Sequence, residues 1–232
     1  MLRRWASAIV AVLLVFVAAR AGAQDIFVTP IPNAPFSGVI EVQRDVVQPN
    51  GAVMWLKTAR LIARDSRGRV HNERRMRVPV TNPGIPEVLM VYLYDPETRL
   101  STTIDEQKKT YWTVVVNHPP ATQPPRLLSA TPAGSSLPPN DFTKEEDLGT
   151  REIGGVQVHG VRDTQTIPAS GAGKAVTVTD EYWYSDELRI NMKIKHDDPR
   201  TGSVTMTVSA VQLNEPDATL FEIPEGYKRA GN

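Results

Sequence analysis

The chain has 232 residues, 26 basic and 26 acidic side chains, and no cysteine. This charge balance argues against nucleic-acid or anionic-surface binding driven by net charge. The lack of cysteine excludes a disulfide framework, a thiol nucleophile and lipid attachment through sulfur.

The first 24 residues read MLRRWASAIVAVLLVFVAARAGAQ. Arg3 and Arg4 precede an apolar run, and Ala21-Gly22-Ala23 closes it. This is the layout of a secretory signal peptide cleaved after Ala23, with an apolar run too short to span a bilayer comfortably. Residues 1–23 are therefore set apart from the fold. Without Arg3, Arg4 and Arg20 the remainder carries 23 basic and 26 acidic residues, a formal charge of −3. A chain of that length buries about 70% of its unfolded surface and needs no covalent staple. The expected location is the periplasm or the cell exterior, with no membrane span after cleavage.

Residues 24–35, QDIFVTPIPNAP, are proline-marked and read as an extended lead-in. From Phe36 onwards strands dominate. Residues 37–47 end at Gln48-Pro49-Asn50-Gly51, where Asn-Gly signals a hairpin. Residues 52–64 form a long second strand, closed by Asp65-Ser66-Arg67-Gly68. Residues 69–78 return, with Arg69, His71, Glu73, Arg75 and Arg77 on one face and Val70, Met76 and Val78 on the other. Residues 88–94, VLMVYLY, are apolar on both faces and belong in the sheet interior or under a covering element. Residues 99–104 and 110–116 form another pair.

Residues 117–140 contain seven prolines and read as a long loop. Residues 141–148, DFTKEEDL, carry the best helical signal, with Asp141 or Thr143 as N-cap and Gly149 as stop. Gly154-Gly155 signals a hairpin, and a bulge at Gly160 accounts for the change of parity between Val158 and Val161. Residues 167–174 form a glycine-containing loop. Leu188, Ile190, Met192 and Ile194 then face one side, as do Val204, Met206, Val208 and Ala210 beyond a turn at residues 198–202. The expected fold is mainly β: a strongly curved antiparallel sheet, a half-barrel, with few short helices. Residues 36–232 form one β-rich domain on this reading.

The C-terminal third carries a specific set of short motifs. They are Leu148-Gly149, Gly155-Val156, Gly160-Val161-Arg162, residues 181–185 (EYWYS), residues 198–202 (DPRTG), and Glu215-Pro216-Asp217 with Leu220-Phe221, Pro224 and Tyr227. Together with residues 35–42 (PFSGVIEV) and 63–75 (ARDSRGRVHNERR), this set resembles a family of uncharacterised secreted bacterial proteins. The hairpin order and the Leu220-Phe221…Pro224…Tyr227 ending are also similar to periplasmic carriers of the LolA/LolB type and their sensor relatives. That resemblance implies an antiparallel half-barrel whose open apolar side binds lipid chains or lipidated partners. Those carriers begin with an amphipathic helix, which QDIFVTPIPNAP cannot form.

Motifs for catalysis are thin. His71, His118, His159 and His196 each stand alone, without metal-ligand spacing, and no G-x-S-x-G, S-x-x-K or H-E-x-x-H occurs. No cofactor and no metal is expected. Residues 57–77 hold eight basic side chains against Asp65 and Glu73, and Arg60, Arg64, Arg69, Arg75 and Arg77 are candidates to face an anion. Candidate ligand contacts are the aromatics Trp55, Tyr92, Tyr94, Trp112, Tyr182 and Tyr184. Strand parity puts Trp183 opposite Tyr182 and Tyr184, which is how an anchoring core residue would be placed.

Three readings follow. The first is a non-enzymatic envelope carrier for a lipid or lipidated protein. The second is a protein-interaction module for an envelope partner, using sheet edges and the proline-rich loop. The third is a hydrolase built from scattered groups such as His196, Asp197 and Glu181.

Overall fold

The structure is a computed structural model that describes residues 25–117, 142–169 and 174–230. The leader lies outside the described residues, as do residues 118–141, with His118 and Asp141, and residues 170–173.

Among the described residues thirteen strands form one open, curved sheet. In chain order they are β1 (Phe36–Val47), β2 (Val53–Arg64), β3 (Val70–Arg75), β4 (Val78–Pro79), β5 (Val88–Asp95), β6 (Leu100–Asp105) and β7 (Thr110–Val115). β8 (Thr143–Ile153), β9 (Val156–Ile167), β10 (Val176–Ser185), β11 (Ile190–Asp198), β12 (Gly202–Gln212) and β13 (Lys228–Arg229) follow. The spatial order is β13-β7-β6-β5-β3-β2-β1-β12-β11-β10-β9-β8, with β4 beside β2. Two meanders, β1 to β7 and β8 to β12, are thus joined by the antiparallel pair β1–β12. β7 and β8 stand near opposite edges of the sheet. The mainly-β expectation holds, with two departures. The β13–β7 pair is parallel, and the only helical element among the described residues is a 3-10 turn, Ala218–Phe221.

The helical turn expected over residues 141–148 is corrected. From Thr143 this segment is strand β8, paired antiparallel with β9. Its helix-forming residues are outweighed by the adjacent ladder, a tertiary effect that local propensity does not carry. The expected bulge also moves. The β8–β9 register shifts between Asp147 and Gly149, so the extra residue is Leu148, across from Gly160 and Val161. Gly160 itself pairs regularly with Trp183. Its lack of a side chain has another cause: a Cβ there would sit 2.6–2.7 Å from the indole ring. The ring lies over the glycine backbone, Arg151 stacks on it at 3.5 Å, and its N–H donates to Glu181 at 2.7 Å.

Trp183 is therefore anchored in the core, as its parity suggested. Tyr182 and Tyr184 are buried as well, at 6% and 9% exposure.

A second parity shift lies in β12. Ala210, expected to face the core, has φ +50 and is exposed. Between Ser37/Gln212 and Val39/Ser209 the register takes one extra residue on β12, and Val211 packs against the core instead.

The two faces of the sheet are covered by the chain's own ends. The lead-in is extended, and Ile26 and Val28 enter the main apolar cluster with Phe36, Ile40, Ile62, Met192, Ile194 and Met206. Burying these two side chains contributes about 2 kcal/mol each. Asp25 pairs with Arg60, and Arg64 donates to the carbonyls of Thr29 and Ala34. The C-terminal segment covers the other face of β3 to β7. There Tyr227 packs on Val91, Leu93 and Ile104, and the Arg69 guanidinium lies 4.9 Å over Phe221. His71 and Glu73, on the charged face of β3, are buried under this segment. His71 Nδ1 is 2.7 Å from the Leu220 carbonyl, and its Nε2 is 3.8 Å from Glu73, an ion-pair distance. Burial alone would raise the Glu73 pKa, but His71, Arg75 and the Leu61 N–H pull it down to about 2.

Candidate functional site

A cleft of about 760 Å³ opens between β1, β2, β3 and β5. That volume is in the range of small-ligand sites. Cross-strand pairing explains its composition. Val42 is opposite Thr58 and Met206, Arg44 is opposite Leu56 and Val204, and Asn72 links Ile62 to Tyr92. One face thus presents an apolar band of Val42, Leu56, Val204 and Met206. Beside it lie Tyr92, Leu89 and Met76.

Six basic side chains line the same cleft (Arg44, Lys57, Arg60, Arg74, Arg75 and Arg77) against one carboxylate, Asp25. Two of the six are committed. Arg60 pairs with Asp25, and Arg75 donates to Glu73 at 2.7 Å and to the Pro86 carbonyl at 3.1 Å. Arg44, Lys57, Arg74 and Arg77 make no ion pair among the described residues. Three buried polar atoms on the lining, Thr58 Oγ1, Arg60 Nε and Asn72 Oδ1, also lack a hydrogen-bond partner among the described residues. Buried polar atoms are normally paired, so such a group marks a place where a ligand or water belongs. The arrangement is an apolar groove with cations at its rim, suited to a molecule with an acidic end and a hydrocarbon body.

No family model matches the chain, and no curated protein matches it. Solved structures share its general layout at low similarity. MucB in the Pseudomonas aeruginosa MucA/MucB complex has 10% identity and a TM-score of 0.39, covering 81% of this chain. The chain spans 55% of the length of that MucB. The Mycobacterium tuberculosis lipoprotein LppX has 15% identity, a TM-score of 0.27 and coverage of 81% of this chain and 89% of its own. LprF from Mycobacterium bovis has 12% identity, a TM-score of 0.28 and coverage of 79% and 89%. Likeness at this level carries no functional argument.

Of the sequence candidates, Arg60, Arg75, Arg77 and Tyr92 meet at the cleft. Arg64 does not: it is fully buried and donates to the carbonyls of Ala34, Thr29 and Leu188, with Phe36 stacked 5.0 Å away. Arg69 is bound to Asp65 at 2.6 Å. Tyr94 and Arg69 border a smaller cleft of about 310 Å³ beside Phe221. Trp112 is exposed on β7, Tyr182 and Tyr184 are in the core, and Trp55 is at a hairpin tip.

Arg44, Arg74, Thr58 and Asn72 are cleft residues that the sequence reading did not select. The readable signal for Arg44 was the Asn50-Gly51 hairpin, whose register sets Arg44 across from Leu56.

His196, Asp197 and Glu181 do not converge. His196 Nδ1 is 2.8 Å from Asp180. Glu181 instead takes bonds from Trp183 and Arg162, and alternation along β10 and β11 puts it with Asp197 on the opposite face from His196. Among the described residues no group of three His, Asp or Glu side chains could hold a metal ion. No helix among them is long and apolar enough to cross a membrane.

Proposed function

We propose that this chain is a non-enzymatic envelope protein that binds an amphiphile, a lipid or a lipidated segment, in the cleft beneath Arg44, Arg74 and Arg77. The observation that carries this reading is the pairing of an apolar groove with four rim cations that have no ion-pair partner among the described residues. The acidic end would meet Arg74 and Arg77, and the hydrocarbon would lie along Val42, Leu56 and Met206. Export through the leader would place the protein in the periplasm or outside the cell.

Reversing the two exposed rim charges should weaken a fatty acid and spare its uncharged analogue. In a titration with a fluorescent fatty acid, R74E/R77E is expected to raise Kd by about 20-fold, two charge-assisted contacts discounted for exposure. The corresponding alcohol should lose under about threefold on the same estimate. Equal losses for acid and alcohol would remove the role assigned to the rim.

A second reading, as a protein-interaction module, has its own support at the sheet edge. β13 pairs only with Thr110 and Tyr111, and Trp112, Val114 and Val115 are exposed beyond it. Edges are usually blunted by charge or a bulge. β8, at the other edge, has both, with Lys144, Glu145, Glu146, Asp147 and the bulge at Leu148. β7 has neither from Tyr111 to Val115. An extended partner strand could add there.

A further inference from the structure

We infer that the tip of the β1–β2 hairpin is a docking surface for an anionic lipid membrane, set at the mouth of the cleft. This deepens the carrier reading, which would need such a surface to meet its cargo, but its geometry stands separately. β1 pairs with β12 only as far as Arg44, and β2 has β4 as neighbour only from Leu56. Asp45 still bonds Ser203 and the Trp55 carbonyl still accepts from Val80, so residues 46–54 extend past the strands on either side as a two-stranded arm with Trp55 at its base.

The arm is apolar where solvent-facing strands are ordinarily polar. Val47 is paired with Val53. Met54 and Trp55 follow, 45% and 55% exposed. The Val80 N–H donates to the Trp55 carbonyl at 3.1 Å, which sets exposed Val80 beside them, and Ile85 in the same connection is 83% exposed. Val47, Val53, Met54, Trp55 and Val80 together mark an interaction site rather than scattered surface residues.

Charge complementarity selects the partner. Arg44 and Lys57 come next along the two strands of the arm, and Arg74 and Arg77 line the cleft with them, none in an ion pair among the described residues. Asp45, at the base of the arm, is turned to Ser203, accepting from its N–H at 2.7 Å and from its hydroxyl. An indole and long aliphatic side chains along an arm that turns at Gln48-Pro49-Asn50-Gly51, with Arg44 and Lys57 next in its two strands, match the composition of a membrane interface. The apolar residues would reach the acyl boundary and the cations the phosphates. Each basic residue near an anionic surface is worth on the order of fivefold in partitioning. The formal charge of −3 expected for the exported chain does not oppose this, because the cations are local.

The test is co-sedimentation of the exported protein with vesicles of phosphatidylcholine, alone or with one-third phosphatidylglycerol. The wild type should pellet with the phosphatidylglycerol vesicles and be released by salt. M54S/W55S should bind at least tenfold more weakly with its melting temperature and fatty-acid affinity unchanged. I85S, in a different segment, should weaken binding severalfold. The inference is overturned if the wild type stays in the supernatant with both vesicle types, or if M54S/W55S pellets like the wild type. It is also overturned if sedimentation velocity shows that the tip pairs two copies and M54S/W55S yields monomers. Vesicle binding without fatty-acid binding would defeat the carrier reading and leave this one standing.

Discussion

Replacing Arg64 with methionine is expected to cost about 3–5 kcal/mol of stability, a drop of roughly 10 °C in Tm for a chain of this size. Arg64 is fully buried. Its Nε donates to the Ala34 carbonyl at 2.8 Å, and one terminal nitrogen donates to Thr29 at 2.8 Å and Leu188 at 3.0 Å. Three segments far apart in sequence, the lead-in, β2 and the turn before β11, are tied at this one side chain. Burial and the nearby Arg189 lower its pKa, against a smaller opposing effect of Tyr184, to about 10. The group therefore remains cationic at neutral pH. Methionine fills a similar volume but removes the donor to the Ala34 and Leu188 carbonyls, while Thr29 keeps the Ile31 N–H, and this loss is the expensive half of the exchange. Lysine restores the charge but lacks the planar fork, so R64K should recover only part of the loss. Chemical denaturation of both variants gives the answer. A loss below about 1 kcal/mol for methionine would show that water replaces the guanidinium, against the energetics invoked here.

Gly202→Ala should be nearly as damaging, at about 3 kcal/mol. Gly202 ends the turn between β11 and β12, with φ +103. A Cβ there would lie 2.2 Å from the backbone oxygen of Asp45 on β1. Backbone cannot swing aside as a side-chain tip can, so the turn would have to leave β1. The Ser203 contacts to Asp45, which help hold that carboxyl's pKa below its usual range although burial opposes them, would go with it. Gly155 is the control. It has φ +80 and nothing within 4 Å of a built Cβ. Gly155→Ala should therefore show only the left-handed backbone cost of about 1 kcal/mol. The difference between the two denaturation midpoints isolates the close approach. Equal losses would mean that φ alone governs both sites.

The strands were legible wherever one face is dry and the other wet. Leu188, Ile190, Met192 and Ile194 alternate with Arg189, Asn191, Lys193 and Lys195, and the first set is buried. Period-two patterns of this kind follow from the pleat alone. Parity could not be carried through residues in unusual conformations. Ala210 adopts a positive φ without being glycine, so nothing in its type marked the bulge. Residues 143–148 were misread because the pattern TKEEDL satisfies a helix locally, and only pairing with β9 makes it a strand.

The cleft was half legible. Arg60, Arg75 and Arg77 stood out as basic residues in one hairpin, but their sorting depended on partners elsewhere. Arg64 is taken up by carbonyls of residues 29, 34 and 188, and Arg69 by Asp65 and Phe221. The burial of His71 and Glu73 was not legible because the segment that covers His71 lies 149 residues further on, at Leu220. Strand alternation identifies faces, but it does not say which chain end will lie across each one. The lead-in shows the same limit. Its failure to form a helix was clear from Pro30, Pro32 and Pro35. Its packing of Ile26 and Val28 over the sheet as an extended strip was not.

The most direct test of the central claim is native mass spectrometry of protein purified from the cell envelope without detergent, followed by organic extraction. The account predicts a mass above that of the apo chain, an extract containing an acidic lipid or acylated segment, and loss of that mass in R74E/R77E. A clean apo mass from freshly isolated protein, or a bound lipid retained equally by R74E/R77E, would contradict it.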